Sequence, residues 1–235
     1  MDNIDFTLNK TNLYEQVADT LEEAIVRSKS KKEKLPSEQE LSKQFNVSRT
    51  VTREALKVLK ERGLITSKNG EGSYITKPKR NTITTALNRL IRMDNISDDE
   101  LYHIRKILEK ASVRLAAEHI TAEEIAHLEN TMQEMSQNPL PMERRLVFDS
   151  DFHITIAKSS RNKLLWIFVE VMIVLLQDYM VKGTDSSNPQ NTLKHHKRII
   201  NGLKKRDADK AEIAILAHLN DSWKHINTYK EEHGE

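Results

Sequence analysis

Apolar side chains recur every three or four positions through most of the chain, which is the period of an amphipathic α-helix. In the N-terminal part this pattern predicts a helix over 11–28, a short helix that begins after Ser37, and another that begins at Ser48 and ends before Gly63. Two short β-runs then flank an Asn-Gly turn at 69–70, which predicts a hairpin. A helix, a short helix, a turn, another helix and a hairpin in this order are the layout of a winged helix-turn-helix.

The rest of the chain is predicted to be helical. The predicted helices span 82–93, 98–119, 121–136, 140–158, 162–181, 190–205 and 208–230. Residues that favour helix N-termini recur in this part, at Ser97, Thr121 and Asp207. Helices joined by short connections pack as antiparallel neighbours, so we expect a mainly α protein with an all-α antiparallel bundle after the hairpin. The apolar helix over 164–176 is expected in the middle of that bundle or at a subunit interface.

Composition excludes several classes of protein. The chain has no cysteine, which excludes disulfides, thiolate metal sites, iron–sulfur clusters and a cysteine nucleophile. Its six glycines do not form a dinucleotide-binding or P-loop fingerprint. The longest apolar run, 164–176, contains Glu170 and is shorter than the roughly 20 residues of a membrane span. Because the N-terminal residues lack the apolar core of a signal peptide, we expect a cytoplasmic protein.

Charge is distributed unevenly, although 37 Lys and Arg nearly balance 35 Asp and Glu. Residues 1–80 hold 16 basic and 12 acidic side chains, whereas the remainder holds 21 and 23. A basic N-terminal part favours an anionic partner such as nucleic acid, although chance alone could give this imbalance. We expect a winged DNA-binding domain over 8–79, a linker over 80–84 and a helical domain over 85–232.

Several short motifs stand in fixed order between residues 35 and 75. They are Leu35-Pro36-Ser37-Glu38, Val47-Ser48-Arg49-Thr50, Arg53-Glu54-Ala55-Leu56, Arg62-Gly63-Leu64 and Gly70-Glu71-Gly72-Ser73-Tyr74-Ile75. This series closely resembles the winged helix-turn-helix of the GntR superfamily of bacterial transcription regulators. The resemblance implies a sequence-specific regulator that binds double-stranded DNA.

The DNA contacts are predicted at the helix starts, on the recognition helix and at the hairpin tip. They are Ser37, Ser48, Arg49, Thr50, Thr52, Arg53 and Gly70. The family pattern makes Arg49 and Arg53 the main readers, since Arg can bridge O6 and N7 of guanine. In the same family pattern, Ser37, Ser48 and Thr50 contact phosphates of the DNA backbone, and Gly70 approaches the minor groove. Gln39 stands where some relatives carry Arg, so the resemblance does not extend to the phosphate or base contact of that Arg. The alternative is a charged, solvent-exposed helix face.

Two pairs of polar residues in the helical part are predicted to point inward. Asp149 and His153 are four apart on a face that also carries apolar residues. His196 and His218 each lie on an apolar stripe, and each is eleven residues from the turn at Asp207. In an antiparallel helix pair they therefore come level, about 16 Å from the turn.

Three imidazoles and one carboxylate suit Zn, Ni, Mn or Fe and leave open positions for water or a ligand oxygen. Hydrogen-bonded core histidines are the alternative. His195 is less favoured because it is rotated by about 100° from its neighbour His196. The other histidines are expected at the surface: His103, His119, His127, His225 and His233.

The spacing of these polar residues also resembles a known domain. The motif Asp-x3-His, followed by two histidines twenty-two residues apart, is similar to the FCD ligand-binding domain of FadR-type GntR regulators. The resemblance is also carried by Arg105-x3-Glu109, Phe152, Asn162, Asp207 and Leu219. It implies a divalent metal held by Asp149, His153, His196 and His218, with a small carboxylate sensed beside or on it. The helix at 82–93 fits the larger, FadR-like form of the domain.

Two further residues are candidates for binding the effector. Arg105 offers a planar, bidentate fork to a carboxylate, and the alternative is an intrahelical pair with Glu109. Asn162 either donates to the effector or caps its own helix.

The resulting hypothesis is a homodimeric regulator, more often a repressor in this family, that binds a palindromic operator and responds to a small organic acid. A purely structural metal is the first alternative. A metal-dependent hydrolase is the second, and it is disfavoured because no motif places a general base beside the metal ligands. We therefore expect no enzymatic activity.

Overall fold

The computed structural model describes residues 12–27, 34–68, 71–76, 80–137, 139–177, 180–181 and 189–234. The chain divides into two compact units, Met1–Thr82 and Ile83–Glu235. Among the described residues, no helix is both long enough and apolar enough to cross a membrane.

The N-terminal unit is a winged helix-turn-helix, as the sequence predicts. Its elements are α1 (Leu13–Arg27), α2 (Glu38–Gln44), α3 (Arg49–Glu61), β1 (Ile65–Lys68) and β2 (Gly72–Ile75). The two strands pair antiparallel, with Ile65 opposite Ile75. Apolar residues from α1, α2, α3 and β1 form one buried core, which includes Leu21, Leu41 and Leu59.

Local chemistry explains the helix boundaries of this unit. The Ser37 hydroxyl accepts from the backbone N–H of Glu40, whose carboxylate accepts from the N–H of Ser37, so α2 begins with a capping box. The Ser48 hydroxyl accepts from the N–H of Val51 and starts α3. Gly63 follows α3 with a φ of 71°, a left-handed conformation that glycine adopts without steric cost.

The C-terminal unit is all α, and the fold-class prediction is confirmed. Its helices are α4 (Arg80–Met93), α5 (Asp98–His119), α6 (Ala122–Met135), α7 (Met142–Ser159), α8 (Lys163–Leu175), α9 (Pro189–Lys204) and α10 (Ala208–His233). The first of these helices, α4, begins three residues before the boundary between the units. Ser97 and Thr121 form the predicted capping boxes, and the side chain of Asp207 caps α10.

Two helix boundaries differ from the prediction. Residues 80–84, expected as a linker, lie in the first turns of α4. Helix α8 ends at Leu175, inside the helix expected over 162–181; Gln177, Met180 and Val181 are again helical, and the N–H of Met180 donates to the carbonyl of Leu176 at 2.9 Å.

The α9–α10 hairpin is tied to the end of α5. Arg206, in the turn between the two helices, has a φ of 52°. Its guanidinium donates to the backbone carbonyls of Glu118 at 2.6 Å and Ile120 at 3.1 Å. These carbonyls have no partner within α5, so Arg206 satisfies the helix end and fixes the hairpin against it.

Candidate metal centre and DNA-binding surface

Asp149 and His153 of α7, His196 of α9 and His218 of α10 meet inside the C-terminal unit. One ligand atom from each lies within 4.8 Å of the ligand atoms of the other three, and all four residues are buried. The Nε2 atoms of His153 and His218 are 3.1 Å apart, and Nε2 of His196 is 3.2 Å from Oδ1 of Asp149. Facing helices therefore bring three imidazoles and one carboxylate to a common centre.

Several polar atoms of this cluster lack a hydrogen-bond partner. Oδ1 of Asp149 and both ring nitrogens of His196 are buried without one, despite the short distance between Oδ1 and Nε2. Unsatisfied buried polar atoms are costly, and a cation at the centre of the cluster would satisfy Oδ1 and Nε2 together. The donor set and these unpaired atoms fit a divalent metal ion of the zinc type.

The ring of His153 is oriented by a carboxylate on α5. Its Nδ1 is hydrogen-bonded to Oε2 of Glu109, and Oε1 of Glu109 accepts from Nε of Arg105 at 2.6 Å. An Nδ1–H donated to Glu109 leaves the lone pair of Nε2 facing the cluster. The ring of His196 is fixed differently, by stacking on Phe152 with a centroid distance of 3.8 Å.

The electrostatics of the cluster favour the protonation states in which a carboxylate and an imidazole bind a metal ion. Burial alone would raise the pKa of Asp149, but the imidazoles of His196, His153 and His218 outweigh it and hold that pKa well below its usual range. Burial lowers the pKa of His196 and, more strongly, of His218. A carboxylate that stays ionised beside neutral imidazoles of His196 and His218 is the protonation state that binds a metal.

Glu109 is also kept ionised. Burial alone would raise its pKa, but the charges of His153 and Arg105 and their hydrogen bonds outweigh this effect and lower it to about 2.

A cavity opens beside the cluster. Its lining includes Asp149 and His218 of the cluster, two arginines, Arg105 and Arg145, and Asp221 of α10. The volume open to the centre of a water molecule is about 50 Å³. Because one water needs roughly 10–15 Å³ by this measure, the cavity suits a molecule of a few heavy atoms.

Of the two residues predicted to bind the effector, one lines the cavity and the other does not. Arg105 lines the cavity, as an effector-binding residue would. It also forms the intrahelical ion pair with Glu109 that was the alternative interpretation, and both side chains are buried. Asn162 is exposed, and its side chain accepts from the N–H of Leu165. Asn162 is not among the residues that line the cavity, so its side chain caps α8, which was the alternative to effector binding.

Among the arginines, acidic residues and histidines that line the cavity, Arg145, Asp221 and His225 were not predicted to lie there. Arg145 lies four residues before Asp149 on α7, a spacing that could have indicated it. Asp221 accepts from Nδ2 of Asn191 at 2.6 Å. His225 was expected at the surface, yet it is half-buried and lines the cavity, because it lies one helical turn after Asp221. His195, less favoured as a ligand, is buried, but its Nε2 lies 3.7 Å from Asp221 and outside the cluster.

Most of the predicted DNA contacts are exposed on the N-terminal unit. Ser37, Ser48, Arg49, Thr50 and Arg53 all reach solvent. The guanidinium of Arg53 lies 3.1 Å from the carboxylate of Glu38 on α2, an exposed pair that DNA can replace at little cost. Gly70 lies outside the described residues.

The prediction for Thr52 is corrected. Its side chain is fully buried, and its hydroxyl donates to the backbone carbonyl of Ser48 at 3.3 Å. Thr52 lies three, four and seven residues before the buried Ala55, Leu56 and Leu59, so helical geometry places it on the core face of α3, where it cannot contact DNA.

Each of the two units matches a known protein family. The profile of the FCD domain matches residues 100–221, and that of the bacterial regulatory proteins of the gntR family matches residues 13–75. The chain belongs to the GntR family. It is therefore a DNA-binding transcriptional regulator with an FCD domain and not an enzyme, as expected.

Individual relatives match over most of their length. The HTH-type transcriptional regulator LutR of Bacillus subtilis is 32% identical over 206 residues, which cover 85% of this chain and 94% of LutR. The HTH-type transcriptional repressor NanR of Salmonella newport is 33% identical over 224 residues, 91% of this chain and 85% of NanR. A solved GntR structure from Streptococcus agalactiae shares the fold, with a TM-score of 0.65, 24% identity, and coverage of 88% of this chain and 97% of that one.

Proposed function

We propose that the FCD unit binds one divalent metal ion, Zn, Ni, Mn or Fe, together with a small organic acid, and that the acid changes the affinity of this regulator for its operator. The observation that carries the proposal is the buried cluster of Asp149, His153, His196 and His218, with a cavity against it. Four ligands on three helices would hold the ion. When bound, the ion supplies a positive centre for a carboxylate oxygen.

The cavity favours a sensing role over a purely structural metal. Asp149 and His218 contribute both to the cluster and to the lining, so a molecule in the cavity reaches the metal ligands directly. Among the arginines of the lining, Arg145 favours an anionic occupant, because its Nε has no hydrogen-bond partner. A structural site is normally closed, with no room for a further ligand.

We further propose a homodimer that binds a palindromic operator, with the exposed residues of α3 in the major groove. Helix α8 supports dimerisation, because Leu164, Phe168 and Val174 leave an apolar surface exposed on the FCD unit. The relative NanR is named a repressor, which supports repression as the direction of control. We also propose a cytoplasmic location, because the chromosomal DNA that a bacterial regulator binds lies in the cytoplasm.

Regulation requires that the acid bind the DNA-competent and DNA-free states with different affinities. A coupling free energy of about 1–3 kcal/mol would change operator affinity by roughly 5- to 150-fold.

The test begins with an operator selected from random-sequence duplexes by the purified protein. Operator affinity is then measured by fluorescence anisotropy on zinc-loaded protein, with acetate, succinate or citrate added in turn. The proposal predicts that at least one acid changes the affinity, and that Asp149→Asn, which weakens the metal site, removes the effect. If none of the acids alters operator affinity or the melting temperature, the metal is structural and the sensing function is wrong.

A further inference from the structure

We infer that Arg145, rather than Arg105, is the side chain that binds the carboxylate of the organic acid; this assignment rests on the proposed function. Arg145 lies on α7, one helical turn before the cluster residue Asp149, and it lines the cavity. Residues four apart share a helix face, so α7 presents this guanidinium on the side that carries Asp149.

The guanidinium of Arg145 has hydrogen-bonding capacity to spare. Its Nε is buried without a hydrogen-bond partner, and no acidic residue forms an ion pair with it in the part of the chain that the structure describes. A buried donor of a charged group with no acceptor is costly, and natural proteins tolerate one mainly where a ligand supplies the acceptor. Arg is always charged in proteins and offers parallel donors that match a carboxylate.

Arg105 differs from Arg145 in this respect. Its Nε already donates to Glu109 at 2.6 Å, and a second nitrogen, Nη1, donates to the sulfur of Met180 at 3.4 Å. Glu109 neutralises the charge of Arg105 and also holds the ring of His153. Arg105 therefore acts as a positioning residue for the cluster, whereas Arg145 has its charge available to the cavity.

The adjacent residue provides a matched control. Arg144 has the same side chain on the same helix but is exposed, with its guanidinium 5.2 Å from the ring centre of Phe148. It is not among the residues that line the cavity. Replacement of Arg144 changes the net charge of the protein equally without changing the cavity.

The experiment compares Arg145→Gln, Arg144→Gln and Arg105→Gln as full-length, zinc-loaded proteins. Calorimetric titration with acetate, succinate and citrate identifies the acid that binds the unaltered protein best, and that acid is used throughout. We expect Arg145→Gln to weaken acid binding by about 10- to 100-fold, the loss typical of a charge-assisted contact, while zinc stays at one ion per chain. Arg144→Gln should stay within about twofold of the unaltered protein. Arg105→Gln should weaken zinc binding, because Glu109 and His153 lose their support.

A second variant at Arg145 shows whether this residue binds the acid or supports the fold. Arg145→Met removes a guanidinium whose Nε is buried without a hydrogen-bond partner but keeps a long apolar stem, so its melting temperature without acid should equal or exceed that of the unaltered protein. Acid should no longer raise that melting temperature. A lowered melting temperature without acid would show that Arg145 supports the fold instead, and would overturn the assignment.

The remaining outcomes distinguish this assignment from the proposed function. If acid binds the unaltered protein and binds Arg145→Gln equally well, the assignment is wrong and the sensing function stands. If none of the acids binds the zinc-loaded, unaltered protein, the sensing function fails and the assignment fails with it.

Discussion

Gly202 of α9 faces Ala211 of α10 so closely that a Cβ at Gly202 would lie 2.8 Å from the backbone nitrogen of Ala211. This contact sets the spacing of the α9–α10 hairpin near its turn. Further along the same hairpin, the rings of His196 and His218 lie 4.8 Å apart, centre to centre. The absence of a side chain at Gly202 is therefore part of what brings two of the metal-site histidines together.

We predict that Gly202→Ala destabilises the protein and weakens the metal site. Alanine favours a helix over glycine by about 1 kcal/mol, but overpacking against the backbone of α10 costs about 1–3 kcal/mol. Urea unfolding should show a lower free energy of unfolding, and chelator competition a weaker zinc affinity. Asn201→Ala, on the exposed adjacent position, is the control and should change neither. A stabilised Gly202→Ala protein would show that the hairpin can spread at this point.

A second prediction concerns the carboxylate behind His153. Glu109→Gln keeps the shape of the side chain but removes the charge that holds Nδ1 of His153 and neutralises Arg105. We expect zinc affinity to fall by about 10- to 100-fold, as is typical when such a supporting partner is lost. Chelator competition measures this, and Glu118→Gln, exposed on the same helix, should retain full affinity. Equal affinities in both variants would mean that packing alone orients His153.

The metal-free protein should lose stability as the pH falls below 6.5. Burial lowers the pKa of His196 and His218 from their ordinary value of 6.5, so the unfolded state takes up more protons than the folded state below that pH. Each histidine contributes a slope of at most about 1.4 kcal/mol per pH unit. Asp149 and Glu109, whose pKa values are lowered from 3.8 and 4.5, add a dependence only at lower pH.

Urea unfolding between pH 8 and pH 5.5, with a chelator present, measures this slope. His218→Leu removes one of the histidines whose pKa is lowered by burial and should make the dependence shallower. A free energy of unfolding that stays constant across this range would contradict the burial of neutral imidazoles.

On the N-terminal unit, Arg49→Ala should weaken operator binding by about 1–3 kcal/mol without changing the fold. Arg49 is exposed at the first position of α3, where a recognition helix contacts base edges. Anisotropy titration on the selected operator, with circular dichroism for the fold, tests this. Lys60→Ala, exposed in the last turn of the same helix, is the control. An equal effect of the two substitutions would indicate that α3 contributes only nonspecific charge.

The sequence predicted the features that depend on local periodicity. The helix starts at Ser37, Ser48 and Ser97 follow from side chains that satisfy backbone N–H groups within a single turn. The meeting of His196 and His218 follows from their equal distances to Asp207, because antiparallel helices of regular rise bring such residues level.

Features that depend on packing between helices were not predictable in this way. The bond between Glu109 and His153 joins two helices, so spacing within either helix gives no sign of it. The unpartnered Nε of Arg145 is visible only once every neighbouring acceptor has been located.

The most direct test of the central claim is the metal content of the purified protein, measured by plasma mass spectrometry. The four buried ligands predict about one divalent ion per chain in the unaltered protein and in the control His103→Ala, whose histidine is exposed. His153→Ala should lose the ion. An unaltered protein that remains metal-free after incubation with zinc, nickel and manganese would contradict the account and make Asp149 and the three histidines polar residues of the core.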